Sequence, residues 1–164
     1  MDIVGLNLSF PIDEDGFIAL VCPDSYTGFI DEDWTLGQLM DRFVEQMNLG
    51  RAFIAYPGPD AADEHFSLVS GRDGSRVVRE AGGTVTVGEA GLVLSSYTQL
   101  TMAAQFEDEA AAGSNNSLRL PCAPGTYRVA LRELDGAGPA FELELRPDDA
   151  PEMVPHTAVP WFEV

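Results

Sequence analysis

Hydrophobic residues alternate with polar ones over much of this chain, which indicates short β-strands. The pattern is clearest in two runs, 127–132 and 141–146, where every second side chain is hydrophobic. Alternation with period two is typical of strands that pack one face on a core and turn the other to water. Residues 135–139, Asp-Gly-Ala-Gly-Pro, join the two runs and have the glycine content of a hairpin turn. The segment 121–147 therefore predicts a β-hairpin.

The polar face of this hairpin carries charges of both signs. Arg128 and Arg132 lie on the first strand, and Glu142 and Glu144 lie on the second. Opposite charges that face each other across neighbouring strands stabilise the pair by about 0.2–1 kcal/mol. We therefore expect arginine–glutamate pairs on the water-facing side of the hairpin.

Further short runs predict additional strands along the chain. These runs are 3–10, 17–22, 52–56, 65–69, 75–80, 83–87, 91–97 and 99–106. Residues 17–22 are hydrophobic enough for a strand at the centre of a sheet, whereas Gly82 and Gly83 are expected to separate two strands. The hydrophobic residues of the C-terminal tail are expected to fold back onto the body of the protein. They are Val159, Trp161, Phe162 and Val164.

One segment has the period of a helix instead. Six hydrophobic residues between Leu36 and Met47 follow the i, i+3, i+4, i+7 spacing, which gives a helix one apolar face. Thr35 and Gln38 match a capping box at its start, and a glycine at position 50 suits its C-terminal end. The sequence predicts an amphipathic helix over 35–48 and no equally clear helix elsewhere.

The pattern and the length together define the expected fold. Many short strands and one early helix favour an antiparallel β-sandwich with the helix inserted near the N-terminus. A chain of 164 residues has the size of one domain and can bury a hydrophobic core. We therefore expect a mainly-β protein in which residues 1–164 form a single β-sandwich domain.

The charge of the chain is extreme. It contains 27 acidic residues and nine basic ones, all of them arginine, for a formal net charge of −18 at pH 7. A field of this size attracts positively charged proteins. It disfavours direct binding to nucleic acid or to anionic membranes, because phosphate contacts need lysine or arginine. High solubility, or a general habit of the source organism, explains the same charge without any partner.

The N-terminal residues, the apolar runs and the cysteines indicate the compartment in which the protein acts. Residues 1–16 lack the basic start and the long apolar run of a signal peptide. No run approaches the roughly 18 apolar residues of a membrane span. Cys22 and Cys122 lie in separate predicted strands, and we expect two buried thiols rather than a disulfide. These features predict a cytoplasmic protein.

Motifs for catalysis or metal binding do not occur in the sequence. His65 and His156 have no metal-ligand spacing, and neither a G-x-S-x-G motif nor a phosphate-binding loop is present. An EF-hand register with Gly16 sixth places a proline and a cysteine at ligand positions. We therefore expect no enzyme and no cofactor. The alternative is a sandwich that binds sugar, or calcium near 31–33, or an accessory module of a larger assembly.

Acidic residues concentrate in the predicted loops. The main groups are Asp31, Glu32 and Asp33; Asp60, Asp63 and Glu64; and Glu107, Asp108 and Glu109. Solvated loops explain any single group, but several groups at one end of a sandwich would form a negative face for a basic protein. We expect the partner-binding residues in the first two groups. Trp34 is either an anchor for the partner or a core residue.

Several motifs follow one another in a recognisable order. They are Asp33-Trp34-Thr35 at the predicted helix start, the segment 50–56, the strands 79–87 and 91–96, and Leu118-Arg119-Leu120-Pro121 followed by 125–129. This series, over about residues 17–132, resembles the competence-nuclease inhibitor family, the Nin or ComJ proteins. The long helix, Gly88 in place of a proline-containing stretch, and the Pro160-Trp161-Phe162 tail differ from the family pattern.

The resemblance implies a small bacterial protein of the cytoplasm that binds and inhibits a nuclease. The departures from the family pattern favour an immunity protein against a secreted toxin, as in a toxin–antitoxin pair. We therefore expect an inhibitor that covers the active site of a basic nuclease or toxin with its acidic loops.

Overall fold

Nine strands and two α-helices form three layers in the computed structural model, which describes residues 8–69, 76–111, 118–136, 140–152 and 154–162. The strands are β1 (Leu8–Pro11), β2 (Ile18–Val21), β3 (Ala52–Ala55), β4 (His65–Val69), β5 (Val77–Val87), β6 (Leu92–Ser95), β7 (Leu118–Leu120), β8 (Gly125–Leu134) and β9 (Ala140–Pro147). The helices are α1 (Leu36–Asn48) and α2 (Tyr97–Gln105), and Pro59–Ala61 forms one turn of 3-10 helix.

The strands are arranged in two sheets. One has the order β1-β4-β9-β8-β5, and the other has the order β3-β2-β6-β7. Neighbouring strands are antiparallel except for β4 and β9, which run parallel. The predicted mainly-β fold is confirmed, and β2 has a neighbour on each side, as expected of a central strand.

The inner faces of the two sheets pack on each other. Phe66, Leu131 and Leu143 of the five-stranded sheet share one buried hydrophobic cluster with Leu20 and Phe53 of the other sheet. Side chains alternate between the two faces of a strand. The alternation that predicts the strands therefore also selects the face buried in this core.

Both helices cover the outer face of the four-stranded sheet. Phe43 and Met47 of α1 and Leu100 of α2 form a second hydrophobic cluster with Ala19 and Ile54 of the sheet. Strand β2 is consequently buried on both faces, which explains its continuous hydrophobic sequence.

Helix α1 begins at the capping box that the sequence predicts. The N–H of Gln38 donates to Thr35 Oγ1 at 3.2 Å, and the N–H of Thr35 donates to Gln38 Oε1 at 2.9 Å. Gly50 lies just beyond the helix with a φ of 73°, a left-handed conformation that glycine adopts without steric cost. The predicted helix is confirmed.

Replacing Thr35 by alanine should lower the free energy of unfolding by about 1 kcal/mol, because the N–H of Gln38 loses the hydroxyl that accepts its hydrogen bond. Denaturation in urea measures the change. Thr35→Ser keeps the hydroxyl and should retain most of the stability. Equal losses in the two variants would show that the hydroxyl is not what stabilises the helix start.

Helix α2 stands where the sequence predicts a strand over 99–106, and this prediction is wrong. The hydroxyl of Ser96 caps the helix by accepting from the N–H of Gln99 at 3.1 Å. Its buried residues are Leu100, Ala103 and Ala104. Two of these are small, while the large Met102 and Phe106 are exposed, so the hydrophobic pattern does not mark the buried face. The described residues therefore contain two α-helices rather than the one that the sequence predicts.

Strand β5 continues across Gly82 and Gly83, where the sequence predicts a break between two strands. Its pairing with β8 shifts register once, between Val77 and Arg79. A Cβ at Gly83 would lie 2.9 Å from the ring of Phe53, closer than side chains pack. This glycine therefore serves the close approach of the strand to the core rather than a turn.

The predicted hairpin is present as β8 and β9, but its charges are arranged differently. Arg132 faces Glu142, as expected, whereas Arg128 faces Arg146. The expectation that this polar face meets water is wrong for Arg132, Glu142 and Glu144, which are buried. The hairpin forms two inner strands of a five-stranded sheet, so other strands flank these side chains on both sides. Residues 137–139 of the predicted turn lie outside the described residues.

Arg132 is the centre of a buried cluster of charges. Its Nε donates to Glu142 Oε1 at 2.6 Å, its Nη2 to Glu144 Oε1 at 2.9 Å, and its Nη1 to Glu80 Oε2 at 3.2 Å. Burial alone would lower the pKa of Arg132, but the hydrogen bonds to the three carboxylates outweigh it and raise the pKa. The guanidinium is therefore held in its charged form.

The C-terminal tail folds back onto the body, as predicted for the residues that the structure describes. Val159 is buried, and the ring centroids of Phe162 and Tyr56 lie 5.3 Å apart. The guanidinium carbon of Arg79 lies 4.0 Å from the centroid of the Trp161 ring, a cation–π contact. Val164 and residues 3–7 of the first predicted strand lie outside the described residues.

Candidate protein-interaction surface

The acidic group Asp31, Glu32 and Asp33 lies at the C-terminal end of α2. The N–H groups of Ile30 and Asp31 both donate to the carbonyl of Ala104, at 2.9 and 3.1 Å. Asp31 Oδ1 accepts from the N–H of Asp33 at 3.0 Å, which closes a turn. All three acidic residues are exposed, so their charges face solvent.

Two side chains of α1 hold the loop that precedes this group. Arg42 Nη1 donates to the carbonyls of Thr27 and Phe29, at 3.1 and 2.8 Å. The N–H of Thr27 donates to Oε1 of the buried Gln46 at 2.9 Å. The loop is therefore anchored to the helix layer, although the Phe29 side chain is exposed.

Trp34 is half-buried and packs against the hydrophobic cluster beneath the helices. This packing favours the core alternative for Trp34 over the alternative in which its ring inserts into a partner.

The second predicted group lies at the other end of α2. It comprises Asp60, Asp63 and Glu64, all exposed. The N–H of Asp63 donates to the carbonyl of Asp13 at 3.4 Å, and the N–H of Ile12 donates to the carbonyl of Glu64 at 2.7 Å. Asp13 Oδ2 in turn accepts from the N–H of Tyr97, the first residue of α2, at 2.8 Å. Asp13 thus links this group to the N-terminal end of the helix through its backbone carbonyl and its carboxylate.

Asp13 has a structural role in this arrangement. Besides Tyr97, the N–H groups of Asp15 and Phe17 donate to its carboxylate, at 2.9 and 2.8 Å. Burial raises the pKa of Asp13, and these backbone hydrogen bonds only partly offset the effect. The carboxylate is engaged inside the protein rather than presented to a partner.

A third acidic group, Glu107, Asp108 and Glu109, follows α2 directly. Gln99 Nε2 donates to Glu109 Oε2 at 3.1 Å and to the carbonyl of Ala110 at 2.6 Å. The chain after the helix therefore runs back along it. All three side chains are exposed.

Helix α2 is thus the element that relates the acidic groups to one another. It has nine residues, which corresponds to a length of about 13 Å. The group 31–33 adjoins the C-terminal end of α2, and 60–64 adjoins its N-terminal end. The group 107–109 begins just beyond the C-terminal end and runs back until Glu109 contacts Gln99, the third residue of the helix. The sequence indicates the groups but not this arrangement, because its pattern predicts a strand where α2 lies.

Three large hydrophobic side chains are exposed near the C-terminal end of α2. Phe29, Met102 and Phe106 expose 40%, 38% and 42% of their surface. Met102 and Phe106 are one helical turn apart, and Phe29 immediately precedes the hydrogen bonds that join Ile30 to the helix. Exposed apolar groups beside charged ones are typical of protein-binding surfaces. The sequence does not mark these residues as exposed, because their exposure depends on the packing of α2.

A cleft of about 320 Å³ opens beside Phe29. Pro23, Tyr26, Phe29, Ala103, Ala110 and Ala111 provide most of its lining. The charged residues at the cleft are Glu107 and Glu109. Its surface is therefore apolar with a negative rim.

The arginines of the described ranges do not neutralise these acidic groups. Five of them form salt bridges elsewhere: Arg42, Arg79, Arg128, Arg132 and Arg146. None of the salt bridges in the described ranges includes a residue of 31–33, 60–64 or 107–109. The negative charge at the ends of α2 is thus not compensated by these pairs.

A larger cleft of about 600 Å³ lies between β5, β8 and the C-terminal tail. Among its charged residues, Glu80 binds Arg132 and Arg128 lies 3.3 Å from Asp148, whereas Glu152 takes part in none of the salt bridges of the described ranges. This mixture of positive and negative charges does not point to one kind of ligand.

The described part of the chain offers little metal or thiol chemistry. It contains no group of three or more His, Cys, Asp or Glu side chains that could hold a metal ion. Cys22 and Cys122 are free thiols, and burial raises the pKa of Cys22 to about 12. None of the helices in these ranges is long and apolar enough to cross a membrane.

Comparison with known proteins gives a weak resemblance of fold and no family. No family model and no curated protein sequence matches the chain. The crystal structure of ComJ from Bacillus subtilis, an inhibitor of the DNA-degrading activity of NucA, matches 88% of this chain and 100% of its own, with 14% identity and a TM-score of 0.46. The structure of crocagin biosynthetic gene J matches 84% of this chain and 94% of its own, with 12% identity and a TM-score of 0.46. The chain is similar to these two structures in outline alone.

Proposed function

We propose that this protein is an acidic inhibitor or immunity protein, which binds a basic nuclease or similar toxin and covers its active site. The observation that carries the proposal is the uncompensated acidic surface at the C-terminal end of α2, around Phe29, Met102 and Phe106. Sites that bind nucleic acid are lined by lysine and arginine. Such a site is complementary in charge to this surface.

The choice of a nuclease as the proposed partner rests on the sequence motifs over about residues 17–132, which resemble the competence-nuclease inhibitor family. The structure supports a basic protein partner through charge and exposed apolar groups. In this proposal the protein acts in the cytoplasm, is not itself an enzyme, and contacts neither nucleic acid nor membrane.

The two kinds of exposed side chain would have different roles in the complex. Acidic residues at the rim attract a basic surface over long distances and raise the rate of association. Apolar side chains at the centre lose their water on binding and slow dissociation. Phe29, Met102 and Phe106 are the residues suited to the second role.

The test is inhibition of a basic nuclease or toxin encoded beside this protein in its genome. Adding the inhibitor at one equivalent should abolish cleavage of DNA or RNA in a fluorescence assay. An unrelated acidic protein of similar net charge, at the same concentration, should leave cleavage unchanged. Full cleavage at saturating inhibitor would refute an inhibitory role, even if the two proteins bind.

A further inference from the structure

We propose that the cleft beside Phe29 receives an arginine side chain of the protein partner. The inference rests on the proposed function for the identity of that partner. The chemistry of the cleft is independent of the proposed function, because it follows from the residues that line the cleft.

The walls of the cleft suit the aliphatic stem and the planar head of an arginine. Pro23, Ala103 and Ala110 supply apolar contacts, and Tyr26 and Phe29 supply aromatic rings. Arginine buries its stem along apolar surface and stacks its guanidinium on aromatic faces. Burial raises the pKa of Tyr26, so this ring stays neutral and does not add a charge to the cleft.

The charged residues at the cleft select a cation. Glu107 and Glu109 are both exposed, and the hydrogen bond from Gln99 Nε2 to Glu109 Oε2 orients the second carboxylate. Arg42 already donates to the carbonyls of the loop at Thr27 and Phe29. The carboxylates are therefore the acceptors suited to a guanidinium, which binds such groups through two parallel hydrogen bonds.

The space in the cleft depends on Gly28. A Cβ at this position would lie 2.9 Å from the Tyr26 ring and 3.4 Å from the Cβ of Ala103. All three residues line the cleft. A side chain at Gly28 would therefore displace the Tyr26 ring, which is one wall of the cleft.

The volume of about 320 Å³ limits the occupant. Pockets for drug-sized ligands measure roughly 300–1,000 Å³, so this cleft is at the small end. It suits one side chain of a partner, with Met102 and Phe106 available for contacts outside it.

The experiment is a titration of the full chain with N-acetyl-arginine methylamide, followed by 15N–1H NMR. Saturable shifts are expected at Gly28, Phe29 and Ala110. The citrulline analogue has nearly the same shape but no charge, and it should bind at least about tenfold more weakly, because hydrogen bonds to charged groups are the stronger ones. Equal binding of the two probes would overturn the proposal.

Two double variants of the chain test whether the arginine probe binds in the cleft. Glu107→Gln combined with Glu109→Gln should weaken binding of the arginine probe by about tenfold or more. Glu32→Gln combined with Asp33→Asn removes the same charge outside the cleft and should change it less than about twofold. Equal losses in the two double variants would overturn the cleft as the site. The titration needs no partner, so its failure refutes the cleft alone, whereas the cleavage assay tests the proposed function.

Discussion

Replacing Arg132 by methionine should lower the free energy of unfolding by about 3–5 kcal/mol. Arg132 and Glu142 each expose only 2% of their surface, and Glu144 exposes 6%. Without the guanidinium, Glu142 and Glu144 lose the donors at 2.6 and 2.9 Å, and Glu144 retains the largely exposed Arg146, 3.3 Å from its Oε2. Buried carboxylates that lose their hydrogen-bond donors are costly. Urea denaturation at neutral pH measures the loss.

Arg128 offers a matched control on the same face of β8. Its side chain is 50% exposed, and its ion pair with Asp148 is 3.3 Å long. Exposed pairs of this kind contribute about 0–1 kcal/mol, so Arg128→Met should cost little. Comparable losses for the two variants would show that the Arg132 cluster is solvated rather than buried.

A triple variant separates the two possible causes of the loss. Replacing Arg132, Glu142 and Glu144 together by methionine or leucine removes the unpaired carboxylates along with the arginine. Buried ion clusters are often replaced by hydrophobic residues without loss of stability. The triple variant should therefore recover most of what Arg132→Met loses, and a still larger loss would mean that the charges stabilise the fold by themselves.

Local signals account for the elements that the sequence predicts well. The capping box of Thr35 and Gln38 involves residues three positions apart, so both the start and the type of α1 follow from the sequence alone. The alternation in β8 and β9 likewise reports which face of each strand is inward. It does not report that the hairpin occupies inner positions of a sheet, which is why the burial of Arg132 was not predicted.

The parts that the sequence did not predict depend on contacts between distant segments. The parallel pairing of β4 with β9 joins residues such as Phe66 and Phe141, and nothing local specifies it. Helix α2 buries two alanines beside Leu100 and exposes Met102, and Phe106, which follows its last residue, is exposed too. Because α2 was missed, the sequence indicated acidic loops but not which of them adjoin the exposed apolar side chains.

Reversing the charges of Glu32 and Asp33 to lysine should slow association with the basic partner of the proposed function by about tenfold or more at low salt. These residues are exposed, and only the backbone N–H of Asp33 takes part in the turn with Asp31. The stability of the fold should therefore change by less than about 0.5 kcal/mol. Stopped-flow fluorescence measures the association rate, and thermal unfolding measures the stability.

The matched control is the double reversal of Asp60 and Glu64, which changes the net charge by the same amount at the other end of α2. The Debye length is about 30 Å at 0.01 M salt and about 10 Å at 0.1 M, while the nine-residue helix is about 13 Å long. At low salt both variants should associate slowly with the partner, because the Debye length exceeds the length of α2 and charges at both ends attract the partner. Near 0.1 M salt only the variant at 32 and 33 should remain slow. If the two variants behave alike at both salt concentrations, the C-terminal end of α2 is not the docking surface.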